Sequence, residues 1–98
     1  MIAAIDGASV EDATDALLSI TYHDSDWKWV EGILVAHLDE RSHTQIRSLA
    51  ITCLGHLARI HRTIDSEIVV PRLRGLVHDR ELGGVAEDAL SDIRRFVA

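Results

Sequence analysis

The sequence predicts an all-α fold. Apolar residues recur three and four positions apart almost throughout, no stretch sustains the alternation of a half-buried strand, and the connections between periodic stretches are short. A chain of 98 residues suffices for one domain and not for two, so residues 1–98 are expected to form a single helical unit.

The first helix is expected over 10–21, opened by Ser9 with Asp12 three positions on, and its apolar side carries Val10, Ala13, Leu17 and Ile20. The second spans 26–38 after Asp24 and Ser25; Trp27, Val30, Ile33, Leu34 and Leu38 fall in one stripe, with Trp29 on its edge. The third and longest covers 44–61 behind Ser42 and Gln45 in capping-box spacing. Ile46, Leu49, Ala50, Cys53, Leu54, Leu57 and Ile60 fill its apolar side, and Ile51 and Ala58 widen it. So wide an apolar surface belongs to a helix packed from two sides, which makes this helix the expected spine.

The fourth helix, 65–77, contains Pro71, which lacks a backbone donor and predicts a kink or a late start. The fifth runs over 84–97 behind Gly83 and packs Val85, Ala89, Leu90, Ile93 and Phe96. Short connections make consecutive helices antiparallel neighbours, pairing 26–61 and 65–97 as hairpins.

An offset of 39 residues sets Ile46-Arg47-Ser48-Leu49-Ala50-Ile51-Thr52-Cys53-Leu54 over Val85-Ala86-Glu87-Asp88-Ala89-Leu90-Ser91-Asp92-Ile93, and Val30, Leu34 and Leu38 over Val69, Leu73 and Val77. Each unit is a helical hairpin of about the length of a HEAT or armadillo repeat. The string Val70-Pro71-Arg72-Leu73-Arg74-Gly75-Leu76-Val77-His78-Asp79 resembles the first helix of a HEAT repeat. Asp39 and Ile46-Arg47 resemble the HEAT aspartate and valine-arginine, and the resemblance implies a charge pair bracing the first hairpin. Ala86 stands where the second unit would need that arginine, so Asp79 is expected to be free at the surface. The implied architecture is a short HEAT-like right-handed solenoid of about five antiparallel helices, capped by the first and the fifth.

Sixteen acidic against ten basic side chains give a net charge of −6, which disfavours nucleic acid as the direct ligand. The charge is uneven: residues 1–40 hold nine acids and one base, and residues 41–98 hold seven acids and nine arginines. Such an acid block suits a basic partner and speeds its encounter. No apolar run is long enough for a membrane span and no basic region precedes an apolar leader, so a soluble, cytoplasmic protein without a membrane partner is expected. The single cysteine agrees with a reducing compartment.

Candidate chemistry is sparse. His56 and His61, five residues apart, point about 140° away from each other on a helix, and none of the six histidines has metal-ligand spacing. Cys53 lies mid-stripe, as a small buried hydrophobe does. Asp88 and Asp92 share a helical face, but a short solenoid offers little enclosure to shift their pKa values. Gly83-Gly84 lacks the rest of a phosphate loop. No catalytic residue, cofactor or metal is expected, and the chain does not read as an enzyme. What remains is a surface. Ser48, Thr52, His56 and Arg59 form a polar strip on the third helix, with Gly55 beside it to let a partner approach the backbone. Asp88, Asp92 and Arg95 hold the corresponding side of the fifth helix, so the two should line one face.

The strings Tyr22-His23-Asp24-Ser25-Asp26-Trp27-Lys28-Trp29-Val30, Cys53-Leu54-Gly55-His56-Leu57-Ala58-Arg59-Ile60-His61 and Ala86-Glu87-Asp88-Ala89-Leu90-Ser91-Asp92-Ile93 resemble small bacterial HEAT-like immunity proteins. These accompany polymorphic toxins, including those of contact-dependent growth inhibition. The resemblance implies a protein that binds the C-terminal domain of a cognate toxin one to one. That toxin is often a nuclease, an RNase or tRNase, blocked at its active site or on an adjacent surface. The residues expected to meet it are Asp24, Asp26, Trp29 and Glu31, with His56, Arg59, Glu87, Asp88 and Asp92. Trp29 is the candidate aromatic anchor, and Trp27 is assigned to the core. The competing expectation is a general HEAT-type scaffold or regulatory subunit.

Overall fold

The computed structural model describes residues 10–39 and 41–97. Among the described residues five helices follow one another: α1 (Val10–His23), α2 (Trp27–Ala36), α3 (Thr44–His61), α4 (Ser66–Arg74) and α5 (Gly83–Phe96). No strand occurs among the described residues, so the fold is all-α as the periodicity predicts.

The ends of the helices are set by side chains placed slightly differently from expectation. The Ser9 cap of α1 lies outside the described residues. Asp26 caps α2 by accepting the Trp29 N–H, and Asp24 in turn accepts the Asp26 N–H. At α3 the cap is His43 rather than Ser42: the His43 ring nitrogen Nδ1 accepts the Gln45 N–H at 3.1 Å. α4 runs unbroken across Pro71, then stops at Arg74 instead of Val77. The carbonyl that a donor at Pro71 would have engaged belongs to the exposed Glu67, where water can satisfy it. In the turn before α5, Asp79 Oδ1 accepts the N–H groups of Glu81 and Leu82. Asp79 is thus exposed but occupied. Those bonds, with a smaller contribution from the charge of Arg47, hold its pKa below 3.8.

The brace between Asp39 and Arg47 does not form. Asp39 closes on Arg41 two residues away, at 3.2 Å, and Arg47 Nε donates to the Leu38 carbonyl at 3.1 Å. A carboxylate at a tight turn meets a neighbour's N–H and guanidinium before it can reach a helix eight residues on.

α3 is the spine. Its buried residues Ile46, Ala50, Ile51, Cys53, Leu54, Gly55, Leu57 and Ala58 occupy more than half its circumference, and α1, α2 and α5 all pack on it. Its most extensive contact is with α5, where Ala86, Ala89 and Ile93 are buried while Val85, Leu90 and Phe96 remain half-buried. Ile60, expected in the core, is 46% exposed, because it lies in the last turn of α3, beyond the reach of the packed neighbours.

Contacts fix the directions of three helices. Thr21 meets Cys53 and Tyr22 meets His56, while Gly55 faces Ala89 and Arg59 faces Phe96. The pairs advance together along both chains, so α1, α3 and α5 run parallel in one row, with α2 on α3 and α4 on α5. The result is a slab of 35 × 32 × 17 Å, its least dimension fitting two helix layers packed 8–10 Å apart.

Candidate functional site

The parallel row brings side chains from three helices onto one face. Two surface depressions of about 380 and 350 Å³ lie side by side there, and His56 lines both. The first is bordered by Thr52 of α3 and by Asp88, Asp92 and Arg95 of α5. The second is bordered by Tyr22 of α1, Arg59 and Ile60 of α3 and Phe96 of α5. The Tyr22 ring is tilted against the His56 imidazole at 5.7 Å between centroids.

Helix spacing explains the assembly. Thr52, His56 and Arg59 fall at successive turns of α3, and Asp88, Asp92 and Arg95 do the same on α5. What brings the two strips together is Gly55. A Cβ there would stand 3.3 Å from the Ala89 Cα and 3.0 Å from Asp92 Oδ2, so α5 itself takes the space that the sequence offered to an outside partner. Gly55 is buried for this reason, and Asp92 lies over it half-buried. Thr52 spends its hydroxyl on the Ser48 carbonyl at 3.1 Å.

Of the nine residues expected to meet a partner, His56, Arg59, Asp88 and Asp92 therefore share this groove. Glu87 lines a separate depression on the outer side of α5 with Val77, Leu90 and Arg94, which Asp88 also borders. Asp24, Asp26 and Trp29 form a second group at the turn from α1 to α2, where each aspartate commits an oxygen to the backbone and Trp29 is 42% exposed. Trp27 packs half-buried against the core.

Glu31 belongs to neither group, and its assignment to a partner surface is corrected. It is buried at 5% exposure, and its carboxylate accepts the Asp65 N–H at 2.6 Å, tying α2 to the start of α4. Burial, together with the nearby negative charge of Asp65, pushes its pKa above 4.5 despite that hydrogen bond. The α4 N-cap, Asp65, makes no side-chain capping bond of its own.

Sequence reasoning left Tyr22, Ile60, Arg62 and Phe96 out of the site. Tyr22 and Ile60 are half-exposed, and Phe96 has guanidiniums around its ring. A usable signal was present: all three apolar residues sit in the last turns of helices that end at one edge.

No family model matches this chain, and no curated protein or solved structure matches it. Among the described residues no group of three or more His, Cys, Asp or Glu side chains is placed to hold a metal ion, and no helix is long and apolar enough to cross a membrane. Cys53 is buried, and burial pushes its thiol pKa up. The groove presents carboxylates beside His56 at one end and a guanidinium with aromatic and aliphatic surface at the other, a composition suited to gripping a macromolecule.

Proposed function

We propose that this protein is a cytoplasmic immunity protein that binds and neutralises a bacterial toxin domain, a basic nuclease, in a one-to-one complex, without catalysing a reaction itself. The observation that carries the reading is the groove in which His56 and Arg59 of α3 meet Asp88 and Asp92 of α5. Side chains drawn from separate packed helices are held in fixed relation, as a specific protein interface requires.

The row of α1, α3 and α5 with α2 and α4 against it supports a HEAT-like right-handed solenoid, a form that commonly presents the second helices of its hairpins to partners. Charge supports the partner class. Residues 1–40 hold nine acids, Asp24 and Asp26 at the turn among them, against the single base Lys28, an acid half that complements a surface built to hold RNA or DNA. Trp29 beside that turn offers a large aromatic contact.

The test is to purify the tagged chain from its native host, identify its partner by mass spectrometry, and assay that partner's nuclease activity with and without the chain. Recovery of a basic toxin fragment at one-to-one stoichiometry, inhibited by the wild-type chain and released by His56→Ala with Asp88→Lys, is the expected result. Recovery of housekeeping partners alone would replace this reading with that of a HEAT-type scaffold.

A further inference from the structure

Phe96, the last residue of α5, has three guanidiniums around its ring: those of Arg59, Arg95 and Arg62 lie 5.5, 5.7 and 5.9 Å from its centroid. They come from α3, from α5 and from the residue after α3, where Arg62 caps the helix in the left-handed conformation at φ 54°. Tyr22 and Ile60 beside them are 50% and 46% exposed.

Two local causes favour cations here. α3 and α5 both end at this edge, where positive charge offsets the helix dipole, and the face of an aromatic ring attracts a guanidinium. Neither cause supplies a counter-ion. Among the described residues none of these three arginines is ion-paired, whereas Arg41 is held by Asp39 and Arg47 bonds the Leu38 carbonyl. Three like charges around one ring lie at separations comparable to the screening length of about 10 Å at 0.1 M salt, so each raises the free energy of the others. A carboxylate placed among them relieves that repulsion and matches the planar donors of a guanidinium two at a time.

We propose that Arg59, Arg62 and Arg95 around Phe96, with Tyr22 and Ile60 beside them, are a docking site for an acidic, partly apolar segment of another protein. An Asp or Glu side chain of that segment takes the guanidiniums, and a neighbouring apolar side chain covers Tyr22 and Ile60. The net charge of −6 decides between a protein and a nucleic acid: it repels a long polyphosphate beyond the cluster but tolerates a peptide whose few carboxylates fall within it. The site shares Arg59 with the groove on which the toxin-neutralising reading rests, but it requires an acidic segment and not a basic domain, so the peptide titration and the nuclease assay fail separately.

The experiment titrates the full isotope-labelled chain with a short synthetic peptide alternating Glu with Leu and Phe, followed by amide chemical shifts. Shifts centred on Tyr22, Ile60 and Phe96 are expected, with affinity falling several-fold between about 50 and 300 mM salt. Arg59→Ala with Arg95→Ala should weaken binding about tenfold or more, while Arg74→Ala with Arg80→Ala, at exposed arginines outside the cluster, should leave it unchanged. Circular dichroism checks that both variants fold. Absence of shifts at millimolar peptide, equal binding by the Arg59 and Arg95 variant, or tighter binding of a short single-stranded RNA would overturn the proposal.

Discussion

The Glu31 carboxylate of α2 accepts the backbone N–H of Asp65 at 2.6 Å, a bond that joins the first hairpin to the first residue of the second. Removing it leaves a part-buried donor without a partner, at a typical cost of about 1–3 kcal/mol. Glu31→Ala is therefore expected to lower the unfolding free energy read from urea titration by that much, while Glu31→Gln, which keeps an acceptor oxygen, retains most of the stability. Equal stability of the Ala and Gln variants would show that the bond contributes nothing.

The same residue gives the protein a pH dependence of definite sign. Because the folded-state pKa of Glu31 is raised above 4.5, the native state holds its proton longer than the unfolded chain does. Stability from this group is thus greatest below 4.5 and declines as pH rises through the folded value. Asp39 and Asp79 act in the opposite sense: their pKa values lie below 3.8, so their contributions are present at neutral pH and lost as pH falls through the folded values. Urea titrations across the acid range should show the decline above 4.5 in the wild type and its absence in Glu31→Gln.

At Gly55 the predicted cost comes from excess volume. An added methyl would meet the Ala89 backbone at 3.3 Å and the Asp92 carboxylate at 3.0 Å, and only the carboxylate can swing away. Gly55→Ala should destabilise by about 1–3 kcal/mol despite the better helix propensity of alanine, with the slope of the urea transition unchanged. A stabilised variant would mean that α3 and α5 can separate freely.

Gly83 and Gly84 are adjacent and should respond oppositely. A Cβ on Gly83 would stand 2.5 Å from the Val77 carbonyl oxygen, whereas a Cβ on Gly84 meets nothing within 4 Å. Gly83→Ala is expected to shift the turn before α5 and lower the melting temperature. Gly84→Ala should raise stability by about 0.5–1 kcal/mol through helix propensity alone. Thermal melts of the two single variants check this directly.

Cys53 is fully buried between α1 and α3, and burial raises its pKa, so the thiolate that reacts with alkylating agents is scarce in the native state. Labelling by iodoacetamide at neutral pH should be slow in buffer and fast in denaturing urea. Rapid labelling of the native chain would indicate frequent local opening of α1.

The spacing of apolar residues reveals the five helices, the central place of α3 and the buried Cys53, because burial on a helix repeats at a fixed angle. It does not reveal Glu31. That residue shares its helix with exposed neighbours, and only the approach of Asp65, 34 residues on, turns its carboxylate into a buried acceptor. Nor does spacing settle caps or end effects. Ser42 and His43 are both acceptors at the right place, and the backbone chooses His43. Ile60 lies in the right stripe, but periodicity carries no information about where neighbouring helices stop. The groove was half legible for the same reason: His56, Arg59, Asp88 and Asp92 follow from helix phase, while Tyr22 and Phe96 join them only because α1, α3 and α5 end together.

The close seat of Asp92 on Gly55 divides the surface into positions that are free to vary and one that is not. His56, Arg59 and Asp88 point out from helices whose packing depends on other residues, so substitutions there can change what the face recognises while the core stays as it is. Asp92 fills space between two helices and faces outward at once. A lineage altering the specificity of this face would therefore find three of its residues outside the buried core and the fourth tied to the identity of residue 55.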